Sequence, residues 1–204
     1  MKYLRQLVEG LEVAPVVQEI EAAPELWNEY KLRTEYYGGQ HAQVSDIWVR
    51  FNAWENLQQL RAYLPEAEAV ARFVSEPHQS VWYPGSDKLP SLKDLAFELM
   101  RHFRVEQLGG ILVTRIPPGC EVKPHVDGGW HATYYEKLAV QLKSAPEQAF
   151  CFEDGEFACP PGTVYAFDNS HMHHVYNRSA TEERMTLFIC VKRDVRLPPL
   201  SRGG

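Results

Sequence analysis

The residues best suited to chemistry lie in two short histidine-bearing segments of the carboxyl-terminal half. In KPHVDGGWH, His125 and Asp127 are two positions apart, so an extended chain projects both side chains from the same face. Further along, AFDNSHMHHVYN offers a third nitrogen donor. Two imidazoles and one carboxylate on one side of a metal leave the opposite positions open, as in non-heme Fe(II) oxygenases. The spacing therefore predicts an open metal site.

An arginine follows the third donor at the start of RMTLFICVKR, an otherwise apolar segment. A guanidinium in such a strand costs free energy unless it is paired, and its planar fork suits a carboxylate. Thr186 lies two residues after Arg184, on the same strand face, where its hydroxyl can bind the same carboxylate. We expect a dicarboxylate co-substrate here; the alternative is an ion pair between Arg184 and Glu182, Glu183 or Asp168.

The elements that must position these residues are short strands. After Gly109 and Gly110, which read as a break, the chain contains eight segments rich in Val, Ile, Tyr, Phe and Thr, separated by turn residues. They are GILVTRI, EVKPHV, KLAVQLK, AFCF, EFAC, TVYAFD, HHVYN and RMTLFICVK. This pattern predicts a mainly β fold with flanking helices, built on a jelly-roll or related double-sheet core.

The first half of the chain is predicted to support that core. The amino terminus, MKYLRQLVEGLEVAPVV, is interpreted as a short amphipathic helix, and DIWVRF as a strand. NLQQLRAYL is a predicted helix ended by Pro65, and SLKDLAFELMRHF a second one, with Ser91 and Asp94 as a capping-box-like start. We therefore expect one domain over residues 1–204, with a helical and supporting-strand region at 1–109 and a catalytic core at 110–193.

Composition excludes several classes of function. The 204 residues are 45% hydrophobic and 24% charged, typical of a globular protein, and no apolar run is long enough to span a membrane. The formal net charge of −6 disfavours binding to nucleic acid. No targeting segment and no metal-type cysteine spacing are evident among the four cysteines, so we expect reduced thiols in a cytoplasmic protein.

Several of these residues fit the motif of a known family. A glycine-initiated strand of the form G-x-V-x-x-F-D precedes H-x-V-x-N and then an arginine on an apolar strand; the matching residues are Gly162, Val164, Phe167, Asp168, His173, Val175, Asn177 and Arg184. Over roughly Gly110 to Arg193 the sequence resembles the Fe(II)- and 2-oxoglutarate-dependent dioxygenases of the double-stranded β-helix (cupin-like) fold, especially the aspartyl/asparaginyl β-hydroxylase-like group.

That resemblance implies a set of ligands. His125, Asp127 and His173 would hold Fe(II), and Arg184 would bind the C5 carboxylate of 2-oxoglutarate. Only His173 has the valine and asparagine that the motif requires, so His171 and His174 are expected to be loop or opposite-face residues, either of which could contact substrate or water.

The resemblance also implies an activity. With 2-oxoglutarate and O2 as co-substrates, the enzyme would hydroxylate an unactivated C–H bond of an amino acid, a peptide or protein side chain, or a small metabolite. Relatives near the animal aspartyl hydroxylases have glycine at the position of Asp127, so their peptide substrate does not transfer directly. The family often has a histidine near the co-substrate where this chain has Gln141, which we interpret as a contact to the C1 end of 2-oxoglutarate.

The substrate is the least determined feature. GGWHATYYEK follows the proximal ligands, and its two glycines suggest a hinge. Its aromatic and histidine side chains are candidates for a lid or substrate pocket, or for rim packing: Trp130, His131, Tyr134 and Tyr135. Two other functions fit the same architecture, a cupin-like metal-dependent isomerase or epimerase and a non-catalytic β-sandwich binding module. The sequence indicates no oligomeric state.

Overall fold

The structure is a computed structural model that describes residues 1–36 and 39–201. Within them, strands form two antiparallel sheets. The strands are β1 (Leu4–Val8), β2 (Ser45–Asn52), β3 (Ser80–Trp82), β4 (Val105–Ile116), β5 (Glu121–His125), β6 (Glu136–Lys143), β7 (Gln148–Phe152), β8 (Gly155–Phe157), β9 (Val164–Phe167), β10 (His173–Asn177) and β11 (Arg184–Arg193). The larger sheet has the order β1-β9-β6-β11-β4-β2-β3, and the smaller sheet has the order β5-β10-β7-β8.

The predicted mainly β fold with flanking helices is confirmed. Each of the eight predicted segments overlaps a different one of the eight strands from β4 to β11. The first half supplies β1, β2 and β3, which widen the larger sheet beyond the smaller one. As a result, the first half of the chain shares a sheet with the second.

Six α-helices flank the sheets in the described residues: α1 (Ala14–Ala22), α2 (Leu32–Tyr36), α3 (Trp54–Arg61), α4 (Glu66–Ser75), α5 (Pro90–His102) and α6 (Gly129–Tyr134). Short 3-10 turns span Pro24–Leu26 and Pro84–Lys88. The apolar stripe of α5 packs with α1 into the main core, against β4, β6 and β11. None of these helices is both long and apolar enough to cross a membrane.

The amino terminus differs from the prediction. Leu4–Val8 is an edge strand, not a helix, and it pairs antiparallel with β9, with Leu4 opposite Phe167. Helix begins only at Ala14, with Pro15 in its first turn. Pairing with β9 satisfies backbone groups and buries Leu4, a gain from distant residues that local periodicity does not register.

The start of α5 is also capped differently from the prediction. Ser91 lies inside the helix, Leu89 occupies the cap position, and no side chain of α5 itself forms a cap bond. Instead, the Glu19 carboxylate of α1 accepts the Ser91 backbone N–H at 2.9 Å. A carboxylate at a helix amino terminus satisfies an otherwise orphaned donor and complements the helix dipole.

Gly109 and Gly110 do not break the chain, because β4 runs through both. They are needed for close packing: a Cβ on Gly110 would lie 3.1 Å from the Phe51 ring and 3.2 Å from the His131 ring. A Cβ on Gly109 would meet the Tyr135 ring at 2.9 Å. The rings of Phe51, His131 and Tyr135 therefore pack directly against the backbone of β4.

Candidate active site

A cavity of about 400 Å3 is lined by residues of both sheets. On the larger sheet, Thr186 and Phe188 of β11 lie opposite Thr114 and Leu112 of β4, and all four line the cavity. On the smaller sheet, His173 lies opposite His125 in the β5–β10 pair. Alternate residues of each strand thus project into one enclosed space.

The three predicted metal ligands meet in this cavity. One donor atom each from His125, Asp127 and His173 lie within 4.8 Å of one another. His125 Nε2 is 3.4 Å from Asp127 Oδ1. Asp127 lies two residues after the end of β5, and its backbone N–H donates to the Asn169 carbonyl at 3.0 Å. This bond fixes the carboxylate beside the paired histidines.

Backbone carbonyls set the orientation of both imidazoles. His125 Nδ1 is 2.8 Å from the Lys123 carbonyl, and His173 Nδ1 is 2.8 Å from the His171 carbonyl. A carbonyl oxygen can only accept, so each Nδ1 donates and Nε2 is the ring nitrogen left to face the site. A metal-binding histidine held by a backbone carbonyl presents its other ring nitrogen in this way.

The protonation states also suit a metal. Burial lowers the pKa of His173 to about 4, so its ring is neutral at neutral pH. Burial alone would raise the pKa of the Asp127 carboxyl, but the Lys137 ammonium, the His125 hydrogen bond and His173 together hold it well below its usual range. The site therefore presents a neutral imidazole and a carboxylate where a cation would bind.

Lys137 is a functional candidate that the sequence analysis missed. Its ammonium forms an ion pair with Asp127 Oδ2 and lines the cavity, and Asn169 Nδ2 donates to the same oxygen at 3.2 Å. A signal was present: Lys137 precedes Gln141 by four residues on a strand, so both lie on the same face of β6. Together, Lys137 and Asn169 orient the Asp127 carboxylate.

Arg184 is fully buried without a carboxylate partner. It is 1% exposed, and its hydrogen bond runs from Nη2 to the Tyr165 hydroxyl at 3.3 Å. Its Nε and Nη1 are buried and have no partner among the described residues. The alternative ion pairs are not formed: Glu183 pairs with Lys143 and Arg115. Asp168 binds Ser170 and His171, and Glu182 accepts from Thr181.

Thr186 and Gln141 lie beside Arg184, but their roles differ. Thr186 lines the cavity and donates to Gln141 Oε1 at 3.5 Å. Gln141 does not line the cavity, and its Nε2 donates to the Lys143 and Met185 carbonyls at 2.6 and 3.0 Å. Both amide hydrogens are thus used by backbone carbonyls, and the contact with the C1 end of 2-oxoglutarate stays a prediction. Gln141 supports the strand that carries Arg184.

Of the four candidate substrate residues, His131 lines the cavity. Its Nε2 accepts the Gly110 backbone N–H at 3.1 Å, and burial lowers its pKa to about 3. The other three lie outside the cavity lining. Trp130 stacks on Tyr134, whose hydroxyl donates to Gln107 at 3.0 Å. Tyr135 packs edge-on against Tyr134 and is 3% exposed.

His171 and His174 lie outside the metal-ligand cluster. His171 stacks on Tyr3 at 4.0 Å between ring centroids and lies 3.4 Å from Asp168. His174 is half-buried on β10 opposite Cys151 and does not line the cavity. All four cysteines are free thiols, as expected.

The first half of the chain contributes further residues to the cavity wall. Arg33 of α2, His41 of the following loop and Trp48 of β2 all line it. Arg33 forms a two-point ion pair with buried Asp46 at 2.7 and 2.8 Å. The His41 ring centroid lies 4.8 Å from that of His125, and burial lowers the His41 pKa to about 2.

Comparison with known proteins agrees with this architecture. The family model for aspartyl/asparaginyl β-hydroxylase matches residues 16–194. None of the curated proteins matches the sequence significantly.

Three solved structures with low sequence identity share the fold. A 2OG-Fe(II) oxygenase family oxidoreductase from Burkholderia pseudomallei is 16% identical, with a TM-score of 0.55 over 94% of this chain and 86% of that one. The collagen prolyl hydroxylase of Paramecium bursaria Chlorella virus-1, as its 2OG complex, is 13% identical, with a TM-score of 0.51 over 95% and 97%. A Pseudomonas putida prolyl-4-hydroxylase is 14% identical, with a TM-score of 0.50 over 95% and 94%. The core is thus a double-stranded β-helix.

Proposed function

This chain belongs to the aspartyl/asparaginyl β-hydroxylase family, and from that premise we propose that it is an Fe(II)- and 2-oxoglutarate-dependent oxygenase that hydroxylates an unactivated C–H bond. His125, Asp127 and His173 are the proposed iron ligands, and Arg184 with Thr186 is the proposed anchor of the co-substrate. Its substrate is a small molecule or a single side chain of a peptide, because the cavity is about 400 Å3.

The observation that carries this proposal is the buried Arg184 guanidinium in the same cavity as the ligand cluster. Two of its donors have no partner among the described residues, and an unpaired buried charge is costly. A carboxylate from a bound molecule satisfies both donors at once. The two-histidine, one-carboxylate set is likewise the donor set that Fe(II) oxygenases use. Both groups of residues therefore fit the cofactor and co-substrate.

When bound, iron with 2-oxoglutarate and O2 supplies the oxidising power for C–H hydroxylation. The protein's own residues do the positioning. Lys137 and Asn169 hold Asp127 Oδ2, leaving Oδ1 beside His125. The Lys123 and His171 carbonyls hold the two imidazole rings. The apolar rings of Phe150 and Phe167 line the same cavity and exclude water around the ligands.

Arg184 also argues against the two rival functions. An isomerase or epimerase that uses no dicarboxylate has no use for a guanidinium buried at one end of its cavity. A binding module that uses neither metal nor co-substrate would leave both the arginine and the three-ligand cluster without a role.

The test is an anaerobic titration with Fe(II) and 2-oxoglutarate, followed by the weak visible charge-transfer band of the chelate. We expect the band in the wild-type protein and in His171→Ala, and its loss in His125→Ala and Asp127→Ala. Succinate production from 2-oxoglutarate in air should follow the same order. Absence of both the band and co-substrate binding in the wild-type protein would overturn the proposed function.

A further inference from the structure

One part of the cavity wall has no role in holding the metal or 2-oxoglutarate. It consists of Arg33, His41 and Trp48, which we call the β2 wall because Trp48 lies on β2 and Arg33 is paired to Asp46 on that strand. In the larger sheet, β2 and β9 lie on opposite sides of β11, each two strand positions from it. Arg184 reaches towards β9, where it binds Tyr165. The β2 wall therefore lies on the opposite side of β11 from Tyr165.

Two polar groups of the β2 wall are buried without partners. His41 is 7% exposed, and its Nδ1 has no hydrogen bond among the described residues. The Trp48 Nε1 is buried and equally unpartnered. Since an indole N–H can only donate, the missing partner of Trp48 must be an acceptor. Because both side chains line the cavity, a ligand bound there can supply the missing partners.

Arg33 adds a positioned donor at the same place. Its Nε and Nη2 donate to the two Asp46 oxygens at 2.7 and 2.8 Å, and Nη2 also donates to Thr114 Oγ1 at 2.5 Å. These bonds fix the guanidinium plane. No hydrogen bond from its remaining nitrogen, Nη1, is found in the described parts of the chain, while the side chain lines the cavity. The N–H groups of Arg33 Nη1 are therefore left to donate to a ligand.

The charges of the cavity define the ligand's charge. Arg33 and Lys137 are each paired, with Asp46 and Asp127, so Arg184 is the one uncompensated charge among the described lining residues. A divalent metal and a dianionic co-substrate cancel one another, which leaves a net charge of +1 in the loaded cavity. A buried positive charge favours one further anionic group. No unpaired carboxylate is available among the described lining residues for a ligand ammonium group.

We propose that Arg33, His41 and Trp48 bind the carboxylate of the primary substrate, and that this substrate is a small monoanionic carboxylic acid with an apolar body. The apolar body contacts the remaining side chains near the β2 wall, which include Leu32, Phe51 and Leu112. The acidic net charge of the whole chain disfavours anions at long range, but the local charge of the cavity governs the bound state. This inference rests on the function proposed above.

The experiment uses protein loaded with Zn(II) and 2-oxoglutarate, so that binding is measured without turnover. Calorimetry compares 4-methylpentanoate and 3-phenylpropanoate with their carboxamides, which match them in shape but lack the charge. Leucine and phenylalanine supply zwitterions, and a terminally blocked tripeptide supplies a peptide. Each acid should bind at least tenfold more tightly than its carboxamide, its zwitterion or the peptide, since hydrogen bonds to charged groups are the stronger ones.

Two single substitutions test whether the acids bind at the β2 wall. Trp48→Phe keeps the ring but removes its donor, and His41→Phe removes the unpaired nitrogen. Each should weaken binding of the acids about tenfold or more and leave 2-oxoglutarate affinity unchanged. Trp54→Phe is the matched control, because Trp54 packs on Tyr30 and Phe73 outside the cavity lining. If His41→Phe does not fold, the affinity of Trp48→Phe for the acids decides whether they bind at the β2 wall.

The outcomes separate this inference from the proposed function. If wild-type protein binds neither metal nor 2-oxoglutarate, the proposed function fails. If it binds both, but the acids do not bind or bind no better than their carboxamides, the β2-wall proposal is wrong and the oxygenase remains. Unchanged acid affinity in Trp48→Phe would also overturn it, and stronger binding of the tripeptide would replace the small acid with a peptide.

Discussion

Replacing Arg184 by methionine should stabilise the metal-free protein and remove most of its stabilisation by 2-oxoglutarate. The guanidinium is 1% exposed, with one hydrogen bond to Tyr165 and two donors unpaired. Each buried donor without a partner costs about 1–3 kcal/mol, and a well-packed apolar replacement of similar volume removes that cost. The two unpaired donors together cost about 2–6 kcal/mol, and loss of the hydrogen bond to buried Tyr165 offsets part of this, so we expect a net gain of about 1–3 kcal/mol in the free energy of unfolding. For a chain of this length that corresponds to a rise of about 2–12 °C in Tm.

The same substitution should have the opposite effect once co-substrate is present. Removing one partner of a buried, hydrogen-bonded charge pair costs about 2–5 kcal/mol of binding free energy, or roughly 30-fold to several thousand-fold in Kd. At a 2-oxoglutarate concentration of about 100 times the wild-type Kd, ligand stabilises wild-type protein by about 2.7 kcal/mol. At that concentration a 30-fold weaker Kd leaves about 0.9 kcal/mol and a several-thousand-fold weaker Kd leaves almost none, so Arg184→Met should keep at most about 0.9 kcal/mol of this stabilisation.

The assay is thermal unfolding with Zn(II), with and without 2-oxoglutarate, and Arg193→Met is the matched control. Arg193 is also buried, at 8% exposed, but it is paired with Glu136 at 3.0 and 3.1 Å and does not line the cavity. Its replacement should therefore lower Tm and leave the 2-oxoglutarate response intact. If Arg184→Met lowers the metal-free Tm in the same way, or is stabilised by 2-oxoglutarate as much as the wild-type protein, our account of Arg184 is wrong.

Three further predictions concern stability, metal binding and pH. Gly110→Ala should lower the free energy of unfolding by about 1–3 kcal/mol in urea titrations, because its Cβ would lie within 3.1–3.3 Å of two rings, whereas Gly128→Ala, with open space around it, should be near neutral. Lys137→Met should enlarge the Tm shift on adding Zn(II), since metal then replaces the lost partner of Asp127; an equal shift would contradict this. The unfolded pKa of a histidine is about 6.5, and burial lowers that of His131 to about 3. Between these values the unfolded chain binds the extra proton, so metal-free protein should lose stability as pH falls below about 6.5. His131→Phe should reduce that slope by up to about 1.4 kcal/mol per pH unit, and an unchanged slope would refute the assignment.

The sequence by itself determined the local parts of the candidate site. His125 and Asp127 share a face because they are two positions apart next to a strand, and this follows from strand geometry alone. Arg184 could be singled out because a charged fork in an apolar strand requires a partner. The eight strands followed from β-branched and aromatic runs between turn residues, and the apolar stripe of α5 from its period. Each of these signals lies within a short stretch of chain.

Only the tertiary structure decided what depends on pairing between distant segments. Leu4–Val8 became a strand because β9 offers it hydrogen bonds, and Gly110 stays extended because two rings pack on it. The pair Arg33–Asp46 reaches the cavity because Asp46 lies opposite Thr114 in the sheet. His41 approaches His125 for a similar reason: the backbone N–H of Lys123 on β5 donates to the Gln40 carbonyl of its loop at 3.0 Å. Whether a polar atom is buried and hydrogen-bonded depends on such contacts between distant segments. A short stretch of sequence therefore does not reveal that Arg184 lacks a partner or that the β2 wall faces the metal ligands.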